Sequence, residues 1–181
     1  QKLHISRKLK KLCRKKKFEF SINHDFSTTI LNCANREETW INKSIKSTYN
    51  TLHDLGYAHS IEVWEDKKLK GGLYGVAIGK VFFAESMFST SSNGSKLALI
   101  ALMGTLALNK FLLLDVQFMT NHLRTMGAKE ISRALFLNLI KKSSSEKVQF
   151  DKPSSVIIDE KLINKAEMKS LIGIGKLEHQ I

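Results

Sequence analysis

The first seventeen residues contain no acidic side chain, cysteine occurs only twice in the 181-residue chain, and no apolar run is long enough to cross a bilayer. Cys13 and Cys33 form neither a CxxC pair nor a dense framework, which argues against a zinc site and for a reducing compartment. The longest apolar stretch, Leu97 to Leu108, is interrupted only by Gly104 and Thr105. Its twelve residues fall short of the roughly 20 that span hydrocarbon, so a buried helix is expected and no membrane partner. No apolar segment follows the basic N-terminal residues as a signal-peptide core would, and a cytoplasmic location is expected. His59 and His122 lack ligand spacing, so no metal is expected. A glycine-rich pyrophosphate loop opening a helix is also missing, which weighs against a coenzyme-A-dependent N-acyltransferase.

What is abundant is positive charge, and it is unevenly placed. The net charge is +12, and residues 1–17 carry nine Lys and Arg side chains. Arg7, Lys11, Arg14 and Lys15 fall at i, i+4, i+7 and i+8, on one face of a helix. Such a face is either solvated or meets a polyanion, and an RNA-binding module without catalysis is one reading of it. The length and the 43% hydrophobic content suit one core. The expected division is a basic helical arm over 1–17, a single domain over 18–140, and a C-terminal appendage over 141–181 lying outside the core. That last segment holds the only proline, Pro153, and one candidate helix from Asp159 to Leu171.

Along the domain, Asp25 is placed to cap a helix through Ala34, and Asn42 another through Leu55, closed by Gly56. The second would bury Ile45, Tyr49 and Leu52. Ala58 to Trp64, Leu69 to Ile78 and Val81 to Glu85 read as an antiparallel meander. A helix from Lys96 to Leu108 and a strand from Phe111 to Phe118 then add a βαβ step. Short helices are expected over Thr120 to Met126, stopped by Gly127, and over Ser132 to Ile140.

Three polar side chains stand out in these apolar segments. Glu85 ends one strand, and Asp115 and Gln117 lie two apart in another, which in a regular strand puts both on one face. An unpartnered buried polar group costs about 1–3 kcal/mol, so a site is a better explanation than faulty packing. The plainer alternatives are a strand end satisfied by a neighbouring helix, and a helix cap at Glu85.

The segments Thr39-Trp40-Ile41, Leu55 to Trp64 (LGYAHSIEVW), Gly71 to Ala77 (GGLYGVA), Glu85 to Ser89 (ESMFS), Ser95-Lys96, Leu114 to Gln117 (LDVQ), His122-Leu123, Met126 to Ala128 and Glu130 to Arg133 occur in this order between about Leu3 and Leu139. Together they resemble the leucyl/phenylalanyl-tRNA-protein transferases. The resemblance implies an α+β fold, a mixed, mostly antiparallel sheet flanked by helices and similar to the GCN5-type N-acetyltransferases. It implies transfer of Leu or Phe, with Met a further candidate, from aminoacyl-tRNA to the N-terminal amine of proteins beginning with Arg or Lys. That transfer marks them for degradation. It requires no cofactor, and a monomer is expected. By the same resemblance Asp115 and Gln117 belong to the reaction and Glu85 lies beside the aminoacyl group. Trp40 helps hold the terminal adenosine, Leu73, Phe82 and Leu114 line the amino-acid pocket, and Arg7, Lys11, Arg14 and Lys15 bind tRNA. For the last four the resemblance and the spacing agree. Without it, Trp40, Leu73, Phe82 and Leu114 read most simply as core. The chain departs from the family in having Val116 where cysteine is frequent, and in lacking the Trp-Trp-Ser-Pro segment that precedes this region.

Overall fold

In the computed structural model the described residues are 3–143, 150 and 156–168. Helix α1 (Arg7–Lys15) is followed by β1 (Phe18–Ile22), α2 (Phe26–Ala34), α3 (Lys43–Asp54), β2 (Ala58–Glu65), β3 (Lys68–Ile78) and β4 (Val81–Ser89). Then come α4 (Gly94–Leu108), β5 (Leu113–Asp115), α5 (Asn121–Thr125), α6 (Arg133–Ser143), β6 (Val156–Ile157) and α7 (Glu160–Met168). The sheet order is β5-β4-β3-β2-β1-β6. Every pairing is antiparallel except β4 with β5, which α4 connects in the expected βαβ step.

Local chemistry sets most of the boundaries. Asp25 accepts a hydrogen bond from the Thr28 amide and Asn42 one from the Ile45 amide, so α2 and α3 begin where their caps satisfy free N–H groups. Gly56 at φ +80° ends α3 in the left-handed conformation. Asp66 and Lys67, at φ +50° and +60°, close a two-residue hairpin whose backbone matches the right-handed twist of β2 and β3. Beyond Glu85 the structure differs from expectation: β4 runs on to Ser89, paired with β3 down to Gly71.

Two apolar layers enclose the sheet. Phe26, Ile30 and Cys33 of α2 pack with Ala58, Tyr74 and Phe88 on one face, joined by Ile45, Tyr49 and Leu52 of α3, which are only half-buried rather than buried. The other face carries the larger core, built around α4. Helix α4 is buried on all sides from Leu97 to Leu106, so the sheet alone does not cover it. Its second partner is α7: Leu162, Ile163 and Ala166, with Ile158 and Phe150, are buried in the same cluster. Gly104 of α4 lies directly under Leu162, where a Cβ would come within 2.4 Å of Leu162 Cδ1. Phe150, Ile158, Leu162, Ile163 and Ala166 of the expected appendage are therefore part of the core, and β6 adds an edge strand to β1. The physical reason is that an all-apolar helix needs two apolar neighbours. Pro153 and the end of the expected helix beyond Met168 lie outside the described residues.

The basic N-terminal segment is likewise attached. Leu3, Ile5, Leu9 and Cys13 are buried in the large core, which fixes α1 against the body and leaves its cations outward. At the opposite edge the expected strand from Phe111 to Phe118 shortens to Leu113–Asp115. Within the meander, the Glu62 carboxylate is 1% exposed and accepts hydrogen bonds from the hydroxyls of Ser60 (2.5 Å) and Ser21 (2.7 Å). It ties β2 to β1 and to the start of α2, near the Thr29 hydroxyl at 3.4 Å.

Candidate active site

The parallel strands β4 and β5 pair through three rows, Val81 with Leu113, Phe82 with Leu114 and Phe83 with Asp115. Beyond that last row β4 continues along β3 while β5 ends, so from Ala84 onward β4 has no strand on that side among the described residues, which leaves a notch at the sheet edge. Glu85 stands two residues past the last row on one rim of the notch. Gln117 stands two residues past it on the other. Parallel partners share a face, and Asp115, beside Phe83, lies on the α2–α3 side, opposite the Phe82–Leu114 row that faces the large core.

A bulge sets the Glu85 rim. Gly75 is paired with Ala84 and Tyr74 with Ser86, which leaves Glu85 as the extra residue. Glycine is required at 75, because a Cβ there would lie 2.2 Å from the Phe83 carbonyl oxygen and 2.5 Å from Phe82 Cε1. The half-buried Glu85 carboxylate lies beside the phenol of Tyr49 on α3. Burial first, then the neighbouring Glu85 carboxylate, push the Tyr49 phenol well above its ordinary range, so Tyr49 stays protonated and able to donate to Glu85. The Tyr49 ring meets Tyr74 edge-on at 5.1 Å and 76°. Tyr74 is fully buried, and its hydroxyl has no hydrogen-bond partner among the described residues. Next to them, the Arg36 guanidinium donates to Ser86 Oγ (2.9 Å) and to the Met87 carbonyl (2.7 Å). Burial pushes the neighbouring Cys33 thiol up to about 12, which leaves it inert as a nucleophile.

The other rim corrects one expectation. Gln117 adopts φ +56° and its N–H donates to Asp115 Oδ1 at 2.9 Å, so the two are joined by a turn rather than projecting side by side from a strand. Asp115 is 8% exposed, and its Oδ2 takes no hydrogen bond among the described residues. One carboxylate oxygen thus holds the backbone of Gln117 while the other accepts no hydrogen bond among the described residues.

The remaining candidates divide. Trp40 is 51% exposed, directed outward beside the buried Ile41 at the entry to α3, which rules out the core reading. Leu73, Phe82 and Leu114 are at most 2% exposed and packed in the large core, Phe82 beside Leu114 across the β4–β5 row. On α1, Arg14 is bound to Glu160 of α7 at 2.8 Å, whereas Arg7, Lys11 and Lys15 are exposed and in no ion pair among the described residues. The spacing missed Tyr49, Tyr74 and Arg36. Tyr49 was legible only as an apolar stripe position, and nothing local marks Arg36 or Tyr74.

A family model described as leucyl/phenylalanyl-tRNA protein transferase matches residues 1–141. The chain belongs to this family. A leucyl/phenylalanyl-tRNA–protein transferase of Dinoroseobacter shibae is 52% identical over 131 residues, covering 72% of this chain and 59% of that protein. Another from Zymomonas mobilis is 49% identical over 146 residues, covering 78% of this chain and 54% of the relative. The chain thus spans somewhat over half the length of these transferases. A ribosomal L7/L12 alpha-N-protein acetyltransferase solved with coenzyme A superposes with a TM-score of 0.38 at 12% identity, over 88% of this chain and 99% of that one; so loose a likeness decides nothing about the site. The notch, its bulge and both rims lie within the residues matched to the transferase family, whereas β6 and α7 lie beyond them.

Proposed function

We propose that this protein transfers Leu or Phe from aminoacyl-tRNA to the N-terminal amine of proteins beginning with Arg or Lys, marking them for degradation in the cytoplasm. The observation that carries the reading is the notch between β4 and β5, with a carboxylate–phenol pair on one rim and the Asp115–Gln117 turn on the other. In this reaction the acceptor nitrogen bonds to the aminoacyl carbonyl carbon, the ester bond to the terminal ribose breaks, and the proton lost by the amine ends on the ribose oxygen. Free α-amines have pKa values of about 7.7–8.0, so a strong base is unnecessary and orientation supplies most of the rate.

Gln117 accepts a hydrogen bond from the attacking amine through its side-chain oxygen. Asp115 holds the Gln117 backbone through Oδ1, and its free Oδ2 offsets the positive charge that develops on the nitrogen. Glu85, oriented by Tyr49, takes the ammonium of the donor amino acid, a charge-assisted contact. Trp40 offers a stacking face for the terminal adenine. Leu73, Phe82 and Leu114 would line the amino-acid pocket, on the core face of the sheet opposite Asp115 and closed by packing in this structure. Arg7, Lys11 and Lys15 contact the tRNA backbone, whereas Arg14 serves chiefly to tie α1 to α7.

The direct test supplies Phe-tRNA and a peptide beginning with Arg. Release of tRNA with extension of the peptide by one residue is expected. A full-length transferase that works in the same mixture while this chain yields no product would overturn the proposal for this chain.

A further inference from the structure

The cations of α1 are one wall of a larger feature. A groove of about 620 Å³ separates α1 from the β2–β3 hairpin and the start of α4. Lys8, Lys11, Lys15 and Lys16 line one side and Lys70 and Lys96 the other, with Ser91, Ser92 and Asn93 along the floor and rim. The single acid among the lining residues is Glu65, which is shared between Lys16 at 2.6 Å and Lys70 at 3.1 Å. Lys8, Lys11, Lys15 and Lys96 enter no ion pair among the described residues. Six cations around one carboxylate leave a strongly positive trench. Lys10 and Arg14 point the other way, to Glu167 and Glu160 of α7, so the basic surface of α1 is divided and its groove side is the one left unneutralised.

Resting on the transferase reading, we propose that this two-walled groove seats the ribose-phosphate backbone of the tRNA, and that Lys70 and Lys96 are phosphate-binding residues opposite α1. Charge and shape both favour this occupant. An anionic membrane is a plane that convex basic surfaces meet, whereas a trench with cations on both walls follows a narrow chain of phosphates. Helix α1 is about 14 Å long, enough to run beside a short stretch of backbone. The neutral Ser91, Ser92 and Asn93 groups supply hydrogen bonds to phosphate or ribose oxygens without sequence preference.

The test combines Lys70→Gln and Lys96→Gln in the full chain and measures binding of deacylated tRNA as a function of KCl. Losing two phosphate contacts lowers the slope of log Kd against log salt by about 1.5–2. Arg14→Gln, the comparison variant, changes the slope by much less. In the transfer assay the double variant lowers kcat/KM for Phe-tRNA relative to that for phenylalanyl-adenosine, which is too small to reach the groove. An unchanged slope in a double variant of wild-type melting temperature overturns the groove proposal, as does displacement of tRNA by polyglutamate at equal charge concentration. If neither donor yields product but the slope falls as stated, the transferase reading fails and the groove stands as an RNA site. Lys8→Gln, remote from the Glu65 pairs, repeats the slope measurement should the double variant be unstable.

Discussion

Replacing Leu162 with Ala tests whether the C-terminal helix is structural. The side chain is 5% exposed and lies over Gly104, in the seam where α7 covers the all-apolar α4. Removing it deletes buried carbon and leaves a void that the seam closes only in part, so the expected loss is about 2–5 kcal/mol. The structure supplies an internal control. Adding a methyl at Gly104 brings it to 2.4 Å from Leu162 Cδ1 and 2.8 Å from its Cγ, so the whole Leu162 side chain must shift in a packed seam. Such overpacking costs about 1–3 kcal/mol. Gly to Ala inside a helix returns about 1 kcal/mol, so Gly104→Ala alone is expected to lie between neutral and about 2 kcal/mol destabilising. In the Leu162→Ala background nothing is in the way, and the same methyl fills part of the void. Gly104→Ala then stabilises by about 1 kcal/mol or more, and the two changes couple by at least roughly 0.5 kcal/mol. Urea unfolding of the four proteins, followed by tryptophan fluorescence and far-ultraviolet circular dichroism, gives the cycle. A Leu162→Ala loss below about 0.5 kcal/mol, typical of surface positions, or strict additivity of the pair, would refute the packing of α7 against α4.

Two further outcomes follow from the site and its surroundings. Gln117→Ala lowers kcat by roughly ten- to hundredfold, as misplacement of a reacting group does, while tRNA affinity is retained; single-turnover rates alongside tRNA binding check this, and a loss confined to binding would remove Gln117 from the chemistry. His122 has its pKa lowered by burial and by the nearby Lys96 charge, and its Nε2 is buried without a partner among the described residues. The unfolded chain therefore takes up this proton first as pH falls. Stability is full above the ordinary histidine pKa of about 6.5 and declines as pH drops below it towards the lowered folded value. His122→Gln flattens the dependence in that window, measured by urea midpoints across the pH range. An unchanged slope would show that His122 is not responsible.

Much of the architecture was legible because it rests on local chemistry. The caps at Asp25 and Asn42, the glycine stop at Gly56 and the meander all depend on residues close in sequence, and they stand where expected. The candidate site was named from its residue types and the family resemblance, but its geometry was not legible. A period-two pattern assumes a regular strand, and at Gln117 the backbone leaves that conformation because the Asp115 side chain captures the next-but-one amide. Conversely, the HSIEVW segment owes part of its pattern to scaffolding, since Glu62 holds β1, β2 and α2 together.

The sequence by itself determined a basic face on α1, a buried α4, the family, and Glu85, Asp115 and Gln117 as candidate site residues. Only the tertiary structure decided that β5 ends at Asp115 while β4 runs on past Glu85, that Tyr49 of α3 comes beside Glu85, and that α7 packs into the core. Hydrophobic burial has no direction, so the pattern of α4 announces that it must be covered but not by which partner. Charge behaves alike. Nine cations foretold a polyanion, yet which of them face a groove and which are spent on Glu160 and Glu167 depended on where the chain folds back.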